Sequence, residues 1–457
     1  MATPIIPPSR SNATDTKRNP ERGMTASALP DESRSRDRAI PGSSPDGGIP
    51  YRLGPRVSFW VAAAVVTHAL WTSAAPAMTY PLYGKEWHLT PTETTAIFAV
   101  YPIVVGGVLI GLGDVSDYIG RRTTMLMGLG ASLLGVLLFA VAPDIRWVLI
   151  GRALMGVGVG LSAAPATAAM VEFSPAGQSN RAGSITTAAQ AVGIALAMLV
   201  GGGLIQYAPF PTHLNFWTLL VVIAVVFAAT WFLPRHTSGE ASGKWRPKAP
   251  FIPKGLRWIF TISTTAVTMC YALGALMLAM GAQMAHDLIG SDNVLVNGAA
   301  MSTFPVVSGV VGVLARRLLP SKSMILGGAA SMCGMLLLVL SSSYHGLLIF
   351  LAANALAGIG YSLSFTGGLN LLNAHAPPHH RGGTLSALFL VAYLIQGAAA
   401  LLLGVVATTW GLKTSIELGS MTLGFLGALV AALAFSGRGI NPPARSFEQS
   451  REMNSTF

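Results

Sequence analysis

From residue 57 onward the chain repeats one pattern, an apolar run of about twenty residues followed by a short polar loop. An α-helix rises about 1.5 Å per residue, so ~20 apolar residues span the ~30 Å hydrocarbon core of a bilayer. Inside lipid only helices and closed barrels satisfy every backbone polar group. The runs are too long and too continuously apolar for barrel strands, which alternate between lipid and lumen. The pattern predicts helices over 57–80, 94–112, 123–142, 146–173, 183–207 and 214–233. A second set follows over 256–284, 294–314, 323–342, 346–372, 384–408 and 414–436. The fold class is all-α integral membrane, with twelve transmembrane helices in two bundles of six, 56–233 and 256–436. The Pro-, Gly- and Ser-rich basic stretch 234–255 links them.

Composition sharpens this picture. Hydrophobic residues make up 52% of the 457 positions and charged residues only 10%, against about 25% charged in a soluble domain. The 51 glycines suit close helix packing in lipid. Cys270 and Cys333 fall in separate spans, and no CxxC or Cys/His cluster occurs, which argues against a disulfide framework or a metal site. The net charge of +11 invites a nucleic-acid reading, but its distribution removes that reading. With twelve spans both termini share one side. All but four of the 29 Lys and Arg lie on that side, the exceptions being Lys85, Arg146, Lys413 and the intramembrane Arg152. By the positive-inside rule that side is the cytoplasm. The chain is thus expected to be a multi-pass protein of the plasma (cell inner) membrane with both termini cytoplasmic, and monomeric.

Residues 1–55 are rich in Pro, Ser, Arg and Asp and lack apolar periodicity, so a disordered cytoplasmic tail is expected. A second polar tail covers 437–457. Met24 offers an alternative start.

The two halves match at a shift of 200 residues. Gly158, Gly160 and Ser162 align with Gly358, Gly360 and Ser362, Arg181 and Gly183 with Arg381 and Gly383, and Arg122 with Lys322. At that shift Arg152 faces Ala352, and Arg317 stands where Asp117 does. Parallel six-helix pseudo-repeats are a transporter architecture, with the substrate near the midplane between them.

The loop after the second span reads Gly113-Asp-Val-Ser-Asp117-Tyr-Ile-Gly120-Arg121-Arg122. It resembles the G-x-x-x-D-x-x-G-R-R/K signature of the major facilitator superfamily. Arg152-x-x-x-Gly156-x-Gly158 resembles that family's fourth-helix pattern. The resemblance covers residues 57–436 and implies the major facilitator fold. It also implies that Asp117 lies against the start of helix eleven, near Gly382-Gly383-Thr384. Glu172 can pair with Arg121 or Arg122. Gly113, Asp117, Gly120, Arg121, Arg122 and Glu172 would together form a cytoplasmic latch.

Arg152 is the buried charge that says most, because a central Arg costs at least ~2.5–3.5 kcal/mol to insert. The resemblance implies proton coupling or anion binding; bonding to neighbouring carbonyls for structure is the alternative. His68, halfway along the first span, is a candidate proton carrier or a neutral hydrogen-bonded side chain. Thr67 and Trp71 accompany it, and Thr268 and Tyr271 match His68 and Trp71 in the seventh span. Tyr101, Gln190, Asn354, Tyr361, Tyr393 and Gln396 complete a mostly apolar substrate cavity with a few polar handles. No Asp or Glu lies near the middle of a span, which favours neutral or anionic, partly apolar compounds over organic cations.

The antiporter pattern of helix five survives in part: Gly193, Gly201 and Gly202 remain, while Ala197 and Met198 replace Gly-Pro. The expected function is secondary active transport by alternating access, proton-coupled export first and proton-coupled uptake of a small metabolite such as an organic acid or sugar second. A non-transporting membrane sensor is a third reading. No nucleophile elbow, metal cluster or phosphate loop is present, so neither an enzyme nor an ATP-driven pump is expected. The expected partners are a small-molecule substrate, protons and the bilayer. No cofactor is expected; a proton gradient would supply the energy.

Overall fold

The computed structural model describes residues 53–175, 179–234, 252–377 and 381–436. Most of residues 1–55, the linker 234–255 and the tail 437–457 lie outside them. Among the described residues there are helices and turns and no strand, and twelve helices are long and apolar enough to cross a membrane. The first crossing is α1 (Pro55–Ala74), a 3₁₀ turn (Ala75–Met78) and α2 (Tyr80–Glu86). Next come α3 (Pro91–Leu112), the short α4 (Val115–Ile119), α5 (Arg121–Ala140), α6 (Ile145–Glu172), α7 (Ser179–Tyr207) and α8 (Leu214–Trp231). The second half holds α9 (Arg257–Ala279), α10 (Gly281–Ile289), α11 (Val294–Leu314) and α12 (Pro320–Tyr344). It ends with α13 (Leu347–His375), α14 (Arg381–Trp410) and α15 (Leu412–Ser436).

Helix ends depart from the apolar runs where polar chemistry intervenes. The first crossing was expected to stop near 80; it continues to Glu86 after a break at Pro76, which has no N–H to give Thr72. α3 starts three residues before the apolar run because Thr90 and Glu93 form a reciprocal cap, with Glu93 Oε2 2.8 Å from the Thr90 N–H. Asp144 caps α6 by accepting from the Arg146 N–H at 2.8 Å.

Glycine brings helix backbones together within each half. A Cβ on Gly128 would lie 2.6 Å from the Gly158 carbonyl oxygen and 2.9 Å from the Ser162 nitrogen; one on Gly135 would lie 2.6 Å from the Gly151 oxygen and 2.9 Å from the Met155 nitrogen. α12 and α13 repeat the arrangement: Gly327 stands 2.6 Å from the Ser364 nitrogen and Gly334 2.8 Å from the Ala357 nitrogen on the same measure. Likewise Gly158 meets Ser132 and Gly360 meets Ser331.

These matched contacts correct the uniform repeat shift of 200. α5 maps onto α12 at 199 residues and α6 onto α13 at 202, so Gly158 corresponds to Gly360 rather than Gly358. Gly156 and Gly358 meet the carbonyls of Tyr101 and Phe304, which sets α3 onto α11 at 203 and pairs Pro102 with Pro305. Loops absorb such length changes more readily than packed helices. The counterpart of Arg152 is therefore Asn354, not Ala352.

Two seams join the halves, α3 against α14 and α7 against α11. At one end they are hydrogen-bonded. The Thr92 N–H donates to Thr408 Oγ1 at 3.0 Å and the two hydroxyls lie 2.8 Å apart. Asn293 Nδ2 donates to the Tyr207 hydroxyl at 3.1 Å, and the Val294 N–H to Gln206 Oε1 at 2.8 Å. Toward the end that carries Asp117, α3 stays close to α14 as far as Gly106, where an added Cβ would be 3.5 Å from that of Tyr393. Beyond that point, an added Cβ at Gly107, Gly111 or Gly382 meets open space.

Gly128→Ala forces the two backbones apart and should lower the thermal unfolding midpoint in detergent, at a cost of about 1–3 kcal/mol. Gly130→Ala, in the same helix with nothing within 4 Å, should leave the midpoint unchanged or raise it by removing a helical glycine.

Candidate functional site

A cavity of about 150 Å³ lies between the halves. The first half offers mainly small and polar groups: Ser73 on α1, Thr187 and Gln190 on α7, and a single ring, Tyr101 on α3. The second half offers a wall of rings. Tyr271 on α9 meets Tyr393 on α14 edge to face at 4.8 Å, and Phe304 on α11 meets Tyr361 on α13 at 5.5 Å. Phe365 stacks on Tyr361 at 6.0 Å, and Gln396 on α14 adds an amide. These edge-on and offset arrangements suit the ring quadrupole. No Asp, Glu, Lys or Arg lines this cavity.

Arg152 stands behind Tyr101, on the first-half side of the cavity. It is fully buried, and Nη2 donates to the Ser73 carbonyl at 2.9 Å while Nη1 donates to the Thr72 carbonyl at 3.3 Å. Thr72 is the residue whose carbonyl loses its helical donor at Pro76, so the guanidinium fills a vacancy that the sequence itself creates. Its carbon lies 4.7 Å from the centre of the Tyr101 ring and 5.7 Å from that of Phe98, both within cation–π range. Among the described residues no carboxylate pairs with it. Nε has no hydrogen-bond partner there. Arg152 thus reaches the cavity only through Tyr101 and Ser73.

At the Asp117 end, Gly120 has φ 88° and ψ 145°, a conformation that excludes a side chain without strain. Gly113 is different. Its backbone is helical, and an added Cβ would collide with the Leu109 carbonyl, so close approach rather than turn geometry requires glycine there. Arg121 pairs with Glu172 at 2.8 Å, and Arg122 lies 5.8 Å over the Trp231 ring. Both contacts stay within the first half. Asp117 is exposed and makes no ion pair among the described residues. Across the halves at this end, Arg316 Nη1 donates to Ser184 Oγ at 2.9 Å, a contact the loop signature does not announce.

The family model of the Major Facilitator Superfamily matches residues 60–400. The chain belongs to the Major Facilitator Superfamily. Among curated relatives, the multidrug efflux pump LfrA of Mycolicibacterium smegmatis is 28% identical over 166 residues, 35% of this chain and 33% of that one. The puromycin resistance protein pur8 of Streptomyces alboniger is 30% identical over 129 residues, 28% and 25% of the two chains. Sugar transporter ERD6-like 6 of Arabidopsis thaliana is 25% identical over 181 residues, 40% and 32% of the two. The chain therefore matches a quarter to a third of each of these relatives' lengths. A peptide transporter solved in complex with sulfate superposes with a TM-score of 0.68 at 14% identity, covering 86% of this chain and 98% of that one. A bacterial homologue of the human lysosomal transporter Spinster, inward-facing and unoccupied, gives 0.65 at 14%, with 87% and 100% covered. At such identity the likeness establishes the superfamily's fold and nothing finer.

Within this Major Facilitator Superfamily fold, the expected cavity residues separate into two groups. Tyr101, Gln190, Tyr271, Tyr361, Tyr393 and Gln396 line the cavity. Thr67, Trp71, Thr268 and Asn354 do not, and neither does His68. Thr67 turns its hydroxyl to the Ala63 carbonyl of its own helix at 3.1 Å, and Asn354 donates to the Phe350 carbonyl at 2.9 Å. His68 is buried and donates from Nδ1 to the Val65 carbonyl at 2.8 Å, leaving Nε2 without a partner among the described residues. Pairing His68 and Trp71 with Thr268 and Tyr271 in one cavity therefore fails on three of the four residues. Ser73, Thr187, Phe304 and Phe365 were not anticipated. The Tyr101-Pro102 and Phe304-Pro305 dipeptides, 203 residues apart, carried the signal for Phe304.

Arg152→Met leaves the Thr72 and Ser73 carbonyls unpaired and should destabilise the protein by about 1–3 kcal/mol per carbonyl. Pro76→Ala returns an N–H within reach of Thr72. In a double-mutant cycle followed by thermal unfolding, the cost of Arg152→Met should be smaller in the Pro76→Ala background.

Proposed function

We propose that the chain is a secondary active transporter that exports a small, partly apolar neutral or anionic compound across the plasma membrane in exchange for protons. The observation that carries this reading is the cavity between the two six-helix halves, whose seam is hydrogen-bonded at the Thr92–Thr408 end. By the positive-inside distribution the Asp117 end is cytoplasmic. A chamber between two bundles that closes at one end and opens at the other is the minimum apparatus for alternating access.

The absence of a charged group on the cavity wall supports a neutral or weakly anionic cargo. The printed names of two relatives, a multidrug efflux pump and a puromycin resistance protein, support export. Uptake is the second reading, favoured by the sugar-transporter relative and by Met198 in place of a helix-five proline. Proton coupling would use His68 and Arg152, two of the groups whose buried nitrogens lack a partner among the described residues. No cofactor enters this scheme, and the protein would act as a monomer.

Asp117 makes no side-chain bond to any described residue in the present conformation, so Asp117→Asn should leave the unfolding midpoint unchanged. It should slow flux in proteoliposomes by about tenfold, equal to ~1.4 kcal/mol on the barrier, because the mouth closes onto it only in the other state. Unaltered flux removes the latch. Export itself is tested by screening accumulation of amphipathic compounds in expressing cells with and without a collapsed proton gradient. Accumulation should fall in expressing cells and recover on collapse, and a rise in gradient-dependent accumulation would select uptake. His68→Gln should shift the pH profile of flux, and an identical profile would remove His68 from coupling.

A further inference from the structure

The size and the wall of the central cavity specify its ligand more closely than the transport reading requires. Its volume is about 150 Å³, and a buried apolar cavity of about that size has room for one benzene ring. The second-half wall is an unbroken series of rings. Tyr361 and Phe365, one turn apart on α13, lie 6.0 Å apart with planes within 10° of parallel. Phe304 meets Tyr361 at 79°, Tyr271 follows Phe365 at 6.4 Å and 27°, and Tyr393 ends the series against Tyr271 at 90°. A ring has a negative face and a positive edge, so a wall that holds rings in both orientations offers a flat aromatic guest stacking and edge contacts together. A saturated guest of equal size gains only its burial.

The free polar groups are few. Tyr361 on the ring wall and Gln190 on α7 are half-buried, and their polar ends make no hydrogen bond among the described residues. Each of the two can donate or accept. The hydroxyls of Thr187 and Thr366 are spent on their own helices, on the Gly183 carbonyl at 3.2 Å and the Ser362 carbonyl at 2.7 Å. The wall thus suits one ring that carries an oxygen substituent.

Charge is decided behind Tyr101. Aromatic walls by themselves suit cations, but the guanidinium of Arg152 lies 4.7 Å from the Tyr101 ring, fully buried and with no carboxylate paired to it among the described residues. Its field crosses a single ring to reach the cavity, through a medium that screens charge poorly. A cationic guest is repelled there, and a neutral or anionic one is not.

We propose that the central cavity takes a single-ring aromatic compound bearing a neutral or anionic oxygen group, with its ring against Tyr361 and Phe365. The proposal rests on the transport reading only in calling this ligand the cargo; its binding at equilibrium needs neither a gradient nor a direction.

Binding of radiolabelled benzoate to the full chain in zwitterionic-lipid nanodiscs, with empty nanodiscs subtracted, tests it. Unlabelled benzamide, of the same shape and neutral, should displace benzoate. Cyclohexanecarboxylate, with the same charge and no aromatic ring, should need about fivefold more than unlabelled benzoate. Benzamidine, the cation of the same shape, and a naphthoate, with a second ring, should each need at least about tenfold more. Phe365→Leu, which removes a ring and no polar group, should shrink the preference for benzoate over cyclohexanecarboxylate. Tyr361→Phe, which keeps the ring, should preserve that preference and weaken both acids alike. The competition series on the unaltered chain decides the matter if either variant fails to fold. No saturable benzoate binding, or displacement by cyclohexanecarboxylate, benzamidine or the naphthoate as ready as by benzoate, would overturn the proposal. Ring-selective binding without gradient-driven flux of benzoate would remove the export reading and leave this ligand class standing; gradient-driven export of a saturated compound with no benzoate binding would do the reverse.

Discussion

The buried guanidinium of Arg152 is the interaction around which the first half is arranged. A cation in the hydrocarbon region needs partners, and a carbonyl stripped of its helical donor there needs one equally. Pro76 strips the Thr72 carbonyl, the chain turns through a short 3₁₀ segment, and Arg152 reaches across from α6 to take up both needs. The same break sets the course of α2, which lines a separate cavity near the Thr92–Thr408 end. On the cavity side Tyr101 covers the charge, so the central cavity presents a ring face rather than a cation. The corresponding place in the second half holds Asn354, a neutral group tied to its own helix. The halves therefore share a fold while dividing the chemistry, with charge behind the first wall and rings on the second.

Movement depends on the seams between the halves. Inside each half, glycines let backbones meet at distances where a single methyl group is refused. Each bundle is accordingly stiff, as packed interiors are. Between the halves, hydrogen bonds join Thr92 to Thr408 and Asn293 to Tyr207 at one end and Arg316 to Ser184 at the other. Between the halves, too, glycines admit close backbone approach, Gly298 to the Met198 carbonyl and Gly404 to that of Pro91, so rocking about the cavity must part packed backbone as well as polar contacts while leaving each bundle folded.

The fold was legible because lipid imposes a strong rule on helix length and polarity, and twelve apolar runs of the right length leave little choice. The repeat was legible in kind but misread in register. Gly-rich segments match at several shifts, and only the backbone contacts of Gly128, Gly135, Gly327 and Gly334 discriminate between 199, 200 and 202. That error hid the Arg152–Asn354 correspondence. In the cavity, long aromatic and amide side chains near the middle of helices were found because few faces can receive them. Thr67 and Asn354 were misplaced because a hydroxyl or short amide can bond within its own helix and need not face a chamber. The break at Pro76, and with it the structural employment of Arg152, was available in the sequence; the proline was passed over because it falls near the expected end of a span.

The claim on which this account turns is that the closed end must open for cargo to cross. Thr92 and Thr408 have hydroxyl oxygens 2.8 Å apart, which puts paired cysteines there near disulfide geometry. In Thr92→Cys/Thr408→Cys proteoliposomes, oxidation should abolish flux of an identified cargo and reduction should restore it. Full flux through a quantitatively cross-linked protein would contradict alternating access between these two halves.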